Sequence, residues 1–177
     1  MMYSKPYLDC AVISFFPQER LDFVNDLTNI NIDLTDPLGE NYQNLNWLDF
    51  QVISIYKVKE HIVEFSVAWH RPEFYQPDEI RIMSKYYKNP QYRLTNSERK
   101  LGLTHIISMV EQQLEMCKSL GFKKAFISRE KSPRYFKGLI NQIQQKTNTQ
   151  WQMFDDKQCV CLPEVKSCWQ YKASTQL

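Results

Sequence analysis

The chain has 177 residues, of which 43% are apolar and 24% charged, and its 22 basic side chains nearly balance 20 acidic ones. This length and apolar content suffice to bury most of the surface in one domain, which we expect to span residues 1–177. The near-neutral charge gives no overall field that attracts nucleic acid, and no apolar run reaches the roughly 20 residues of a membrane helix. The opening residues, MMYSKPYLD, lack the pattern of a signal peptide, so we expect a cytoplasmic protein that does not bind membranes.

The first half of the chain predicts a strand, a helix and then a meander of three strands. Apolar runs rich in strand-forming residues alternate with polar or proline-containing segments, and the segment that starts at Pro17 has apolar residues at helical spacing. The first two strands of the meander form a hairpin whose alternating apolar and polar residues are typical of a half-buried antiparallel pair. In chain order the predicted elements are a strand at 8–16, a helix at 17–30, a loop at 31–46 and strands at 48–58, 62–69 and 79–88.

The second half begins with a long amphipathic helix, the clearest element of the sequence. Apolar residues recur at steps of three and four from Leu103 to Leu120, so one face of this helix must pack on a sheet. Gly121 follows it, at the position where a helix commonly ends in the left-handed conformation. The remaining predicted elements are a buried strand at 123–128, a helix that starts at 132–133, strands at 151–162 and 167–173, and frayed residues at 174–177.

Five cysteines, at positions 10, 117, 159, 161 and 168, lie mostly within apolar periodic segments. Free cysteine is among the most buried residue types, so we expect reduced, buried thiols. The spacing of Cys159, Cys161 and Cys168 matches no standard zinc site, and a fourth ligand is missing. We therefore expect no metal.

The order of the predicted elements resembles the Gcn5-related N-acetyltransferase (GNAT) superfamily, in a divergent or phage-type form. The resemblance includes YKNPQYR before the long helix and LGFKKAFIS after it; it covers the whole chain as topology and 80–143 as sequence. It implies an α/β fold with a mixed central sheet of about seven strands and helices on both faces. It also implies acetyl-coenzyme A, or another acyl-coenzyme A, as the donor and a small-molecule or protein amine as the acceptor. Whether the protein is a homodimer stays open.

The resemblance also implies where the donor binds. The pantetheine arm would lie between two splayed parallel strands, beside Met83, Ser84 and Tyr86. Arg129 follows a predicted parallel strand, and the carboxyl ends of such strands tend to carry ligand-binding groups, so it could meet a phosphate or an acidic group of the substrate. The alternative is that Arg129 forms a surface ion pair with Glu130, which would contribute little.

The pyrophosphate would meet backbone amides at the start of the long helix, because exposed N–H groups and the helix dipole attract anions there. The superfamily's phosphate loop has Gln or Arg, then Gly three residues later and a small residue two further on. Arg99 and Gly102 match this pattern and Thr104 departs from it, while Arg93 stands where the superfamily usually has its arginine, directly after the strand. Alternatively, 95–98 form a capping box and the helix starts at position 96, which would place Gly102 inside it with its amide already paired. Both interpretations stay open.

Transfer of an acyl group to an amine needs a base, an oxyanion donor and an acid that protonates the thiolate. Glu79 and Glu64 are the candidates for the base, with His70 as a third. Backbone N–H groups near 84–86 could stabilise the oxyanion. The superfamily often has a tyrosine acid in the helix after the fifth strand; Tyr135 lies in that helix, although nearer its start than usual.

Two other classes of function remain. The poor phosphate loop, the polar segment 91–100 and the 14% aromatic content would also suit a catalytically inactive GNAT-like binding or assembly module, such as a viral accessory protein. Alternatively, basic residues interleave with tyrosines between Lys85 and Lys100, as in proteins that bind single-stranded nucleic acid. The near-neutral net charge argues against nucleic acid as a partner.

Overall fold

A computed structural model describes residues 10–20, 50–58, 61–70, 72, 75–88, 102–129, 133–154 and 171–177. Seven strands and two α-helices lie within these ranges, with a 3-10 helix at Pro17–Arg20. The strands are β1 (Cys10–Phe15), β2 (Phe50–Val58), β3 (His61–Trp69), β4 (Glu79–Lys88), β5 (Lys124–Arg129), β6 (Gln152–Phe154) and β7 (Tyr171–Gln176); the helices are α1 (Gly102–Ser119) and α2 (Pro133–Thr147). Neither of these helices is both long and apolar enough to cross a bilayer.

All seven strands form one mixed sheet in the order β1-β2-β3-β4-β5-β7-β6. Only the β4–β5 pair is parallel; the other five pairs of neighbours are antiparallel. A parallel pair needs a crossover connection, and α1 supplies it between β4 and β5. The mixed sheet that the sequence predicted is therefore confirmed.

The principal core lies between one face of the sheet and the two helices. Alternate residues of β2, such as Val52 and Tyr56, pack there against apolar residues of α1 and α2. The amphipathic pattern of the long helix is confirmed, because its predicted core positions Ile106, Val110 and Cys117 are buried. Both described helices contribute to this one cluster. The predicted helix at 17–30 is described only at Pro17–Arg20, and residues 21–49 lie outside the described part of the chain.

The hairpin of β2 and β3 is buried on both faces, so the expectation of a half-buried pair is wrong. Val52 and Ala68 belong to the core beneath the helices, whereas Ile53 and Val67, which point the other way, are also fully buried. Side chains project perpendicular to a sheet, so this burial means that both faces of the pair are covered; neighbouring strands do not cover a face. Alternation within a strand does not report whether its second face is covered.

The end of α1 is a Schellman motif, as the glycine after the helix predicted. Gly121 has a φ of 94°, and its N–H donates to the carbonyl of Lys118. The next N–H, of Phe122, donates to the carbonyl of Cys117. These two bonds satisfy carbonyls that the helix leaves unpaired and turn the chain directly into β5.

The C-terminal residues are not frayed, contrary to the sequence-based expectation. β7 lies between β5 and β6, and its residues Ser174 and Thr175 are buried. The N–H of Leu177 also donates to the carbonyl of Lys123, 2.9 Å away. Strand pairing on both sides holds the end of this chain, which position in the sequence does not reveal.

Candidate functional site

β4 and β5 separate after three residues. Their parallel register runs through Glu79–Lys124, Ile80–Ala125 and Arg81–Phe126 and then stops. β4 nevertheless continues to Lys88, paired with β3, and β5 continues to Arg129, paired with β7. The space between 82–88 of β4 and 127–129 of β5 is called here the β4–β5 gap. Because α1 returns the chain from β4 to the parallel β5, its first residues lie at the edge of the sheet where this gap opens.

A β-bulge in β4 coincides with the point of separation. Opposite Val67 and Trp69 of β3, β4 has one residue more between Ser84 and Arg81. Met83 has a φ of 59°, the left-handed region that costs a residue other than glycine about 1–3 kcal/mol. Ile82 and Met83 are neighbours, yet both belong to the core cluster under the helices, so the alternation of the strand breaks here. A bulge bends its strand, which accounts for β4 leaving β5 at this position.

A buried glutamine of α1 holds this bulge. The N–H of Met83 donates to Oε1 of Gln113 at 2.9 Å. The amide nitrogen of Gln113 donates to the hydroxyl oxygens of Ser54 on β2 and Ser66 on β3, each also at 2.9 Å. The Ser66 hydroxyl lies 3.6 Å from the sulfur atoms of both Met83 and Met109. Gln113 has no exposed surface, and its side-chain amide makes three hydrogen bonds inside the core.

Sequence reasoning missed Gln113, although a signal was present. Ile106, Val110, Gln113 and Cys117 are spaced by four, three and four residues, which places the glutamine on the apolar face of α1. A polar residue in the middle of an apolar stripe needs buried partners. Those partners are distant in sequence, so the sequence did not reveal them.

A second buried polar cluster lies under the first turn of α1 and contains the predicted base Glu64. Nε2 of His105 is 3.3 Å from Oε2 of Glu64, and the imidazole stacks on the ring of Tyr56 at 4.1 Å between centroids. All three side chains are buried. This cluster ties the start of α1 to β2 and β3.

Glu79, the other predicted base, lies at the opposite end of β4. Its Oε1 accepts the N–H of Gln76 at 2.9 Å, and its carbonyl is 2.7 Å from Nδ1 of His70, which therefore carries the proton. Glu79 pairs with Lys124, in the closed part of the sheet, whereas Glu64 is in register with Lys88, where the gap is open. At about 3.3 Å per residue, the two carboxylates are roughly 20 Å apart, so they cannot serve one reaction centre together.

Arg81 is a buried cation at the point where the strands separate. It is 3% exposed and is the last residue of β4 in register with β5. Its guanidinium carbon lies 5.3 Å from the centre of the Trp69 ring, a distance that fits a cation–π contact. Since Ile80 and Ile82 face the helices, Arg81 and Glu79 face the other side of the sheet. Arg81 was not among the site residues predicted from the sequence.

The other predicted site residues are described only in part. Ser84 and Tyr86 lie on β4 beside the gap, Arg129 is the last residue of β5, and Tyr135 is in the first turn of α2; only their backbones are described. The backbone donors proposed for the oxyanion are therefore at the gap. Met83 is also there, but its own N–H is already bound to Gln113.

Only some of the predicted phosphate-loop residues lie within the described part of the chain. Gly102 is the first residue of α1, and Thr104 lies in its first turn, both described at the backbone. Arg93 and Arg99 lie outside the described residues, as does the capping-box segment 95–98. The choice between a phosphate loop and a capped helix therefore stays open. Within the described ranges, no three His, Cys, Asp or Glu side chains lie close enough together to hold a metal ion.

Comparison with solved structures identifies the fold. Over 95% of this chain and 99% of the other, it is similar to an IAA acetyltransferase from Bacillus cereus ATCC 14579, with 13% identity and a TM-score of 0.52. It is similar over 94% of each chain to the diaminobutyrate acetyltransferase EctA from Paenibacillus lautus, solved with L-2,4-diaminobutyric acid and coenzyme A, with 14% identity and a TM-score of 0.51. No family model and no curated protein sequence matches the chain. At these identities the likeness establishes the fold, which confirms the topology predicted from the sequence: the chain has the fold of the Gcn5-related N-acetyltransferase superfamily.

Proposed function

We propose that this protein is an N-acyltransferase that moves an acetyl or other acyl group from coenzyme A to an amine. The observation that carries the proposal is the β4–β5 gap, which opens after Arg81 and Phe126 although both strands continue. The similar enzyme from Paenibacillus lautus, which was solved with coenzyme A and an amine substrate, supports the same class of reaction.

The gap offers the groups that a pantetheine arm requires. The edge of β4 that faces β5 has no strand partner there beyond Arg81 in the described register. An extended chain with amide groups can use such an edge as an additional strand would. The start of α1 lies at the open end of the gap, where the helix dipole favours the pyrophosphate. Arg93, Arg99, Gly102, Thr104 and Arg129 remain the predicted anion contacts.

The reaction then needs three groups around the thioester. The amine attacks the carbonyl carbon, and a backbone N–H of 84–86 stabilises the oxyanion of the tetrahedral intermediate. When that intermediate collapses, the C–S bond breaks and Tyr135 donates a proton to the thiolate. Both carboxylates remain candidates for the base. Glu64 lies beside the gap but is buried under α1 against His105. Glu79 is half-buried and lies about 15 Å from Ser84 along β4, so it would have to accept the proton through water.

A second candidate function is an inactive GNAT-like binding module. One observation favours it: both predicted bases have structural partners, Gln76 for Glu79 and His105 for Glu64. Such a protein would keep the gap and bind coenzyme A, or a partner in its place, without transferring the acyl group.

Isothermal titration and thermal unfolding with acetyl-coenzyme A test both candidates. A ligand at a hundred times its dissociation constant should stabilise the protein by about 2.7 kcal/mol. Dephospho-coenzyme A and free pantetheine serve as controls that remove parts of the anionic end. Release of free thiol on incubation with a panel of amines then supports the transferase. Binding without thiol release favours the inactive module, and no binding of any of these compounds contradicts a coenzyme A site.

A further inference from the structure

We propose that Gln113 is a positioning residue that holds the bulge of β4 and thereby keeps the β4–β5 gap open. The part of this inference that links Gln113 to coenzyme A binding rests on the proposed function. Its structural content, that one side-chain amide determines where two neighbouring strands separate, can be tested independently of any ligand.

Gln113 joins α1 to three adjacent strands at one depth of the core. Its amide is bonded to Ser54 on β2, to Ser66 on β3 and to the backbone of Met83 on β4. An N–H can only donate, so the Gln113 atom that faces Met83 must be the oxygen, and the nitrogen must face the two hydroxyl groups. The orientation of the amide is therefore determined by its partners, and it is suited to receiving a backbone N–H from β4.

The bulge needs the Oε1 of Gln113 as an acceptor for the N–H of Met83. A bulge leaves an extra residue outside the regular ladder, and Met83 is 4% exposed, so water is not at hand to satisfy its N–H. A buried amide without an acceptor is destabilising. Without Gln113, the buried N–H of Met83 loses its acceptor, and the bulge and the edge of β4 along the gap lose the contact that fixes them.

Gln112, the residue before Gln113, offers a matched control. Gln112 is half-buried; its Oε1 accepts the Ser14 hydroxyl at 2.6 Å and its Nε2 donates to the carbonyl of Val12 at 3.4 Å. Both partners are on β1, an edge strand of the sheet that is separated from β5 by β2, β3 and β4. Gln112 thus has the same chemistry on the same helix. It is linked to Gln113 through the Ser14 and Ser54 hydroxyl groups, 2.6 Å apart, but neither of its own two hydrogen bonds reaches β4.

The test compares Gln113→Met, Gln113→Glu and Gln112→Met. Amide hydrogen exchange of Met83 is followed by NMR, and the affinity for coenzyme A is measured by calorimetry. In Gln113→Met, which keeps the shape and loses the acceptor, Met83 exchange should accelerate and coenzyme A binding should weaken, each by about tenfold or more. Gln113→Glu keeps an acceptor for the Met83 N–H but buries a carboxyl group, which lowers global stability; once corrected for that loss, Met83 exchange should accelerate less than in Gln113→Met. Gln112→Met should change neither by more than about twofold.

Each result bears on the proposal. It is overturned if Gln113→Met leaves Met83 exchange unchanged, or if Gln113→Met and Gln112→Met weaken coenzyme A binding equally. Equal acceleration of Met83 exchange in Gln113→Met and Gln113→Glu, after correction for global stability, would also overturn it, since the retained acceptor would then not matter. If Gln113→Met does not fold, the unmodified protein decides: rapid exchange at Met83 contradicts the hydrogen bond. If the unmodified protein binds no coenzyme A, the proposed function fails, and the exchange data alone decide the role of Gln113.

Discussion

β5 has two neighbours in the sheet and pairs with them very differently. With β7 it pairs along its whole length, from Lys124–Gln176 to Arg129–Tyr171. With β4 it pairs over three residues only, although β4 is ten residues long. The register with β7 is regular, whereas β4 contains the bulge at Met83 where Gln113 receives the N–H. β5 thus has a closed side, fully paired with β7, and an open side toward β4. On the open side, β4 has two register shifts against β3, and the first of them, at Met83, coincides with the point where β4 leaves β5.

The largest effect is expected on the closed side. A chain that ends at Ala173 removes Ser174–Gln176, the partners of the first three residues of β5, and with Ser174 one of the three residues that pair with β6. Each ladder hydrogen bond contributes about 1 kcal/mol net, so the free energy of unfolding should fall by about 3–5 kcal/mol. Urea denaturation measures it. The control Gln176→Ala changes an exposed side chain and should cost less than about 0.5 kcal/mol. Equal stability of the truncated and full chains would mean that β7 does not hold the closed side.

The second effect compares Glu79, at the closed end of β4, with Glu64 of β3, which lies beside the open end of β4. If Glu79 is the base, Glu79→Gln should lower the acyl-transfer rate by about 100-fold, because it keeps the acceptor for the Gln76 N–H and loses the proton-accepting carboxylate. Glu64→Gln should leave the rate within about threefold, since Glu64 is buried against His105. Steady-state rates with acetyl-coenzyme A and a responsive amine measure both variants. The reverse ranking would assign the chemistry to the open end of β4.

The third effect separates the side chain of Met83 from its backbone. Met83→Ala removes a buried side chain and should lower the free energy of unfolding by about 2–3 kcal/mol. The N–H that Gln113 receives is kept, so the affinity for coenzyme A should stay within about threefold of the unmodified protein. Denaturation and calorimetry on one preparation provide both numbers. A tenfold loss of affinity would show that the side chain, rather than the hydrogen-bonded bulge, maintains the gap.

The smallest effect concerns Cys117, which is four residues from Gln113 on the buried face of α1. Burial raises the pKa of its thiol from 9.0 to about 12. The unfolded state therefore releases this proton first, and stability is lost as pH rises from about 9 toward 12, by up to about 1.4 kcal/mol per pH unit. Cys117→Ala should lack this part of the alkaline pH dependence, which urea denaturation at several pH values measures. In the folded protein at pH 8, iodoacetamide should leave the thiol unmodified; rapid labelling would contradict a dry helix–sheet interface.

Several parts of the fold were predictable because their signals are local. The periodicity of α1 predicted a helix over its described span and its end to within one residue, Gly121 predicted its stop, and the predicted span 79–88 is the observed β4. Cys117 is free and buried as expected, whereas the side chains of the other four cysteines lie outside the described part of the chain. The two-sided burial of β2 and β3 depends on what covers each face of the sheet, and the pairing of the last residues depends on strand order. Local sequence patterns encode neither.

The candidate site likewise has features that local sequence predicted and features that only packing determined. Met83, Ser84 and Tyr86 were chosen because the resemblance placed pantetheine beside that strand, and β4 does run along the gap there. By itself the sequence determined the identity and order of the elements around β4, α1 and β5, because helical and strand periodicity and a glycine stop act over a few residues. The tertiary structure alone decided that β4 leaves β5 after Arg81, that Met83 takes a left-handed conformation, and that Gln113 receives its N–H across 30 residues. Those features depend on satisfying buried polar groups from four separate elements at once, which becomes a constraint only when the elements have packed.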